Sequence, residues 1–219
     1  MAALFFCPLR ASRKRALLPV PFAYYDRLSA ARKRIYRASD AIDTLALPPE
    51  VSAGESVARI RSALVADDRG ALRRACQDLA DLLTRGYRVP PLAIRVLAQR
   101  PADDYGELHG LYEPEDGGKP ATISVWMRTA ARGQVVAFKT FLRTLCHEIC
   151  HHLDYELYAL EETFHTEGFY KRESGLANAL LALEAPGVAE ASSGATQASP
   201  DAARAATAAV RSGPTGRTR

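Results

Sequence analysis

Two histidines four residues apart, His147 and His151, enclose a glutamate, Glu148, in the run Leu145-Cys146-His147-Glu148-Ile149-Cys150-His151-His152. The three residues fit the pattern H-E-x-x-H. On a helix, residues four apart lie one above the other, about 40° apart around the axis. Both imidazoles can then reach a single ion at zinc–nitrogen distances of roughly 2.0–2.1 Å. Glu148 stands about 100° round from His147. It flanks the ion instead of ligating it, and from there it can take a proton from a water on the metal as general base. That chemistry is metal-assisted hydrolysis with Zn2+ as cofactor. A catalytic zinc usually has three protein ligands and one open position. The third ligand must come from beyond the helix. His165, Glu161, Glu162 and Glu167 are the candidates, brought back by a chain reversal after Leu160.

The neighbours of the motif read differently. Cys146 points away from the histidine line and Cys150 lies nearer to it, but both read as buried, inert thiols. His152 is turned about 100° from His151 and reads as a surface or hydrogen-bonded residue, not a ligand. Asp154 can orient a ligand imidazole from behind. Tyr155 and Tyr158 read as helix packing, and His109 as a structural strand residue.

The motif needs a long helix, and the sequence offers one. From Gln134 to about Leu160, after Gly133, no glycine or proline interrupts an apolar-periodic stretch that includes Phe141, Leu142 and Leu145. Ahead of it, Tyr24 to Ala38 reads as a helix, closed by Leu47-Pro48-Pro49. Glu55 to Val65 and Arg69 to Arg85 read as two helices, or one bent element, with Asp68 as N-cap and Gly86 as C-terminal stop. Leu92 to Ala98, Gly106 to Glu113 and Ala121 to Met127 read as strands. The last two are joined as a hairpin by Pro114-Glu115-Asp116-Gly117-Gly118. Gly168 to Leu183 is a final helix. This order predicts an α+β fold with N-terminal helices, a small mostly antiparallel sheet, a long helix carrying the motif and a following helix. The expected divisions are a basic arm over 1–49, a folded domain over 50–185 and an Ala/Ser/Pro-rich tail over 186–219 that has too few apolar residues to fold.

Composition is that of an ordinary globular protein: 47% of residues are hydrophobic and 25% charged, enough for a core. No apolar run reaches the roughly 18 residues of a membrane span, and Ala2 to Cys7 is too short and lacks the basic flank of a secretory signal. Cys7, Cys76, Cys146 and Cys150 show no disulfide spacing, which predicts reduced thiols and a cytoplasmic location. The net charge is +4. Arg10, Arg13, Lys14, Arg15, Arg27, Arg32, Lys33, Arg34 and Arg37 crowd the N-terminal stretch. Such a run is either a solvated face or a contact for DNA phosphates.

The stretch Thr144-Leu145-Cys146-His147-Glu148-Ile149-Cys150-His151-His152, followed by His165-Thr166-Glu167-Gly168-Phe169, resembles the SprT-like zincins, the group of the Spartan proteases. Their pattern is H-E-x-x-H, a gap, then H-G-x-x-F, whose histidine is the third zinc ligand. His165 and Phe169 match it; Thr166 stands where the family has glycine, and a glycine follows at Gly168. Ala121 to Trp126 resembles the strand these proteins place before the active helix, and the likeness covers about Leu92 to Leu183. The resemblance implies a zincin-like fold, zinc held by His147, His151 and His165, Glu148 as catalytic base, and a protein or peptide substrate. No cysteine follows Cys150, so the paired-cysteine zinc ribbon common in that group is not expected. Two rivals stand beside this reading: a zinc hydrolase of non-peptide amides, and a DNA-associated zinc-binding protein without hydrolase activity.

Overall fold

The computed structural model describes residues 22–103 and 106–184. A 3-10 turn at Tyr25–Arg27 leads into α1 (Ala30–Ala41), α2 (Gly54–Val65) and α3 (Arg69–Tyr87). The strands follow as β1 (Ala93–Gln99), β2 (Ala102–Asp103), β3 (Gly106–Glu107), β4 (Gly110–Glu113) and β5 (Thr122–Arg128), and then α4 (Phe138–Glu156) and α5 (Glu167–Ala182). The fold is α+β. The expected tail, Cys7 and the basic residues Arg10 to Arg15 lie outside the described residues.

The sheet differs from the expected mostly antiparallel one. Its order is β1-β5-β4 and it is mixed: Val96 pairs with Val125 in parallel, and Tyr112 pairs with Ile123 antiparallel. A parallel pair needs a connection of a dozen or so residues, and residues 100–121 supply it. They carry the β2–β3 ladder and leave β4 on the far side of β5. The expected hairpin between β4 and β5 is present. The expected strand Gly106 to Glu113 is broken in two because its ends serve different ladders: Gly106 pairs back with Asp103, while Gly110 pairs with Val125.

Several helix ends also differ. The expected helix from Tyr24 to Ala38 begins only at Ala30, behind the Ser29 N-cap, and runs on to Ala41. Gly86 does not stop α3, which runs on to Tyr87 and closes at Arg88 in the left-handed region at φ 58°. Glycine is required at 86 because a Cβ there would stand 3.3 Å from Pro48 and run into Val51. Asp68 does cap α3, accepting from the Ala71 amide at 2.9 Å, and Asp67 at φ 56° separates α2 from α3 as distinct helices. The motif helix begins later than Gln134 because Val136 still donates to the Met127 carbonyl at 2.8 Å, in register with β5. It ends at Glu156, where the Leu157 and Tyr158 amides both turn back to the Leu153 carbonyl.

The core lies between the sheet and the helices. Ile123, Val125 and Met127 of β5 meet Phe141, Leu145 and Ile149 of α4, with Ile60, Leu79 and Leu176 closing the remaining sides. Each such side chain contributes roughly 1.5–3 kcal/mol on burial. A second cluster joins Tyr25 and Tyr36 to Phe164, so the described part of the basic segment is packed on the chain just before His165. Arg32 in that segment forms a two-pronged ion pair with Glu162. Arg27, Arg34 and Arg37 remain exposed. Among the described residues, no helix is long and apolar enough to cross a membrane.

Candidate metal centre

The helical repeat of α4 stacks His147 and His151, and the reversal after Glu156 returns His165 to them. The three Nε2 atoms form a triangle with edges of 2.9, 3.2 and 3.2 Å. Three nitrogens held by a tetrahedral zinc at roughly 2.0–2.1 Å stand roughly 3.3 Å apart, so the donor set fits that ion closely.

The opposite edges of the rings fix which nitrogen carries the proton. His147 Nδ1 lies 2.9 Å from Glu173 Oε2, and a carboxylate only accepts. His147 therefore donates from Nδ1 and keeps a bare lone pair on Nε2. His151 Nδ1 lies 2.8 Å from the Thr163 hydroxyl, which itself donates to Asp154 Oδ2 at 2.8 Å. The lone pairs of His147 and His151 on Nε2 thus point to one place, a pair of donors suited to a cation. Burial pushes His151 down to about 3, with His147 and then His165 adding to the effect, and burial lowers His165 as well. Uncharged imidazoles are the form that ligates metal. Phe169, fully buried, forms the floor, with ring centroids 5.0, 4.7 and 5.2 Å from His147, His151 and His165.

His165 is positioned from several sides. The Tyr24 hydroxyl donates to its carbonyl at 2.9 Å, and Tyr170 stacks on its ring at 5.9 Å. Thr166 is the N-cap of α5, its hydroxyl accepting from the Phe169 amide at 3.0 Å. That is the role of threonine where the SprT-like pattern has glycine. Gly168 is instead the close approach of α5 to α1, where a Cβ would stand 2.9 Å from the Ile42 carbonyl oxygen.

The other candidate ligands do not reach this point. Glu162 is committed to Arg32, Glu167 pairs with Lys171 at 2.9 Å, and Glu161 is exposed. Among the described residues, His147, His151 and His165 are the set of donors that comes within 4.8 Å of one another.

Glu148 lies beside the triangle in the wall of a cleft of about 380 Å³, shared with His109, Gly110, Arg143, Thr144 and His147. It is 6% exposed. Burial pushes its carboxyl up to about 7, while His147 and the Tyr112 backbone amide pull the other way. A proton acceptor near neutrality suits general-base work.

Asp154 supports His151, but through Thr163 and not directly. Its other oxygen is 2.7 Å from Arg172 in a fully buried ion pair. Burial raises the Asp154 carboxyl, and Arg172 and Thr163 oppose that rise. His152 is fully buried, donating from Nε2 to the Pro90 carbonyl at 2.9 Å and accepting at Nδ1 from the Tyr112 hydroxyl at 3.1 Å. Tyr155 stacks on Tyr112 at 5.9 Å, and Tyr158 packs against the core. Cys76, Cys146 and Cys150 are free and buried, and burial raises all three thiols well above their ordinary value. His109 is not in a strand; it lies exposed between β3 and β4 on the rim of the cleft.

Glu173 and Thr163 escaped the sequence reading. Glu173 sits one turn beyond Phe169 on α5, a signal that becomes visible only once α5 is known to lie against α4. Thr163 carries no pattern of its own. Comparison with family models, with curated proteins and with solved structures gave no match to this chain.

Proposed function

We propose that the chain is a zinc-dependent metallopeptidase, as its resemblance to the SprT-like zincins implies, with His147, His151 and His165 as ligands and Glu148 as base. The observation that carries this reading is the convergence of three imidazole Nε2 atoms within 2.9–3.2 Å of one another beside a buried carboxylate in a cleft. Zinc held by the three histidines would supply Lewis-acid polarisation of a substrate carbonyl and of a water. Glu148 takes the proton of the attacking water and passes it to the leaving amine. Glu173 and Thr163 hold His147 and His151 in the tautomer that leaves Nε2 free. The edge strand β4 borders the same cleft at Gly110, so an extended peptide can lie along it as an added strand. This favours a peptide over a small amide. A purely structural zinc usually takes four protein ligands, and here the place beside the three histidines belongs to a base.

The test is metal content together with proteolysis of a mixed pool of unfolded proteins. Purified protein should carry about one zinc per chain, and His147→Ala and His151→Ala should lose it. Glu148→Gln should keep the metal and lose hydrolysis. Full zinc in both histidine variants, or wild-type hydrolysis by Glu148→Gln, overturns the assignment.

A further inference from the structure

Two of the three ligands are braced from behind, by different means. His147 faces a carboxylate directly, Glu173 at 2.9 Å. His151 faces a neutral hydroxyl, Thr163 at 2.8 Å, with a carboxylate one step further on. A hydroxyl has one proton, and it can donate or accept toward an imidazole. Alone it would leave His151 free to adopt either tautomer. Asp154 removes that freedom. Its Oδ1 is occupied by Arg172 at 2.7 Å, and its Oδ2 receives the Thr163 proton at 2.8 Å. With that proton committed, Thr163 can only accept from His151, and His151 must protonate Nδ1.

The chain extends further. Arg172 also donates to the Ser39 carbonyl at 2.8 Å, to the Ser39 hydroxyl at 3.1 Å and to the Ile42 carbonyl. These groups end α1. Asp154 and Arg172 are 0% and 1% exposed, so water does not compete for their bonds.

We propose that Thr163 is a positioning residue for the ligand His151, and that the one-way chain Arg172–Asp154–Thr163–His151 sets the affinity of the metal centre. The proposal rests on the metal reading above and assigns its strength to residues that never touch the ion. Outer hydrogen-bond partners of ligating histidines typically change metal affinity by about 10–100-fold. Valine keeps the shape of threonine and lacks the hydroxyl; serine keeps the hydroxyl.

The experiment uses the full chain, stripped of metal and titrated with zinc against a chromophoric chelator. Thr163→Val should bind zinc about 10–100-fold more weakly than wild type. Thr163→Ser should return to within a few-fold of it. Ring 15N resonances of His151 in the metal-free proteins give a second readout. Wild type and Thr163→Ser should show Nδ1 protonated, and Thr163→Val a mixture of tautomers. Zinc affinity of Thr163→Val equal to wild type, or an equally weak Thr163→Ser, overturns the positioning role. So does an unchanged His151 tautomer in Thr163→Val, and that measurement requires no metal. A wild-type protein that binds no zinc, with His151 still held at Nδ1, overturns the metal reading itself.

Discussion

Gly110 of β4 and the side chain of Glu148 occupy adjoining space with no room between them: a Cβ at position 110 would stand 2.8 Å from both Cγ and Cδ of Glu148. The strand thus shapes the pocket of Glu148, and only glycine permits the carboxylate to lie where it does.

Gly110→Ala should therefore displace Glu148 while leaving the histidines alone. Peptide hydrolysis should fall by about 100-fold, the effect of roughly 1 Å of misplacement in a reacting group. Zinc content should be unchanged. Rates on a fixed protein substrate, paired with metal analysis, check this; wild-type turnover by Gly110→Ala would show that the strand does not place the base.

The doublet His151-His152 should separate cleanly by mutation. His152→Ala leaves the Tyr112 hydroxyl and the Pro90 carbonyl without their partner, costing about 1–3 kcal/mol. Zinc should remain. Urea unfolding followed with metal analysis tests this, and loss of zinc from a folded His152→Ala protein would place His152 at the ion.

Two glycines of α5 should respond with opposite signs. In a helix interior alanine is favoured over glycine by up to about 1 kcal/mol. At Gly175 the nearest atom to a new Cβ is the Leu45 carbonyl oxygen at 3.8 Å, ordinary contact, so Gly175→Ala should stabilise. At Gly168 the Cβ would meet backbone of Asp40 and Ile42 at 2.9 Å, and backbone cannot step aside. Overpacking of about 1–3 kcal/mol then exceeds the propensity gain, and Gly168→Ala should destabilise. Thermal unfolding of the two variants decides it; a stabilised Gly168→Ala would mean that α1 does not press on α5.

What the sequence disclosed follows from what is local. His147, Glu148 and His151 lie within two turns of one helix, so period and spacing alone put them on adjoining faces. The Asp68 cap and the β4–β5 hairpin were legible for the same reason, each written in a few consecutive residues. The parallel pairing of β1 with β5 was not, because no residue in either strand says which neighbour it will meet. Gly86 misled because glycine ends helices often, whereas here it makes room for Pro48 and Val51, far away in the chain. Glu173 and Thr163 were invisible for a related reason: each gains its role from an imidazole on another element.

The hold on His165 has a consequence for how the protein is made. Tyr24 precedes His165 by 141 positions, and Ser39 precedes Arg172 by 133. Translation at about 5–20 residues per second puts roughly 7–30 s between the two ends of the first contact. Over that interval α1 has left the ribosome with its partner helix unmade. Contacts of such long sequence separation also slow folding after release. His147, His151 and His165 lie within 19 consecutive residues and can assemble locally, whereas the Tyr24 hold on His165 waits for the two distant segments to meet.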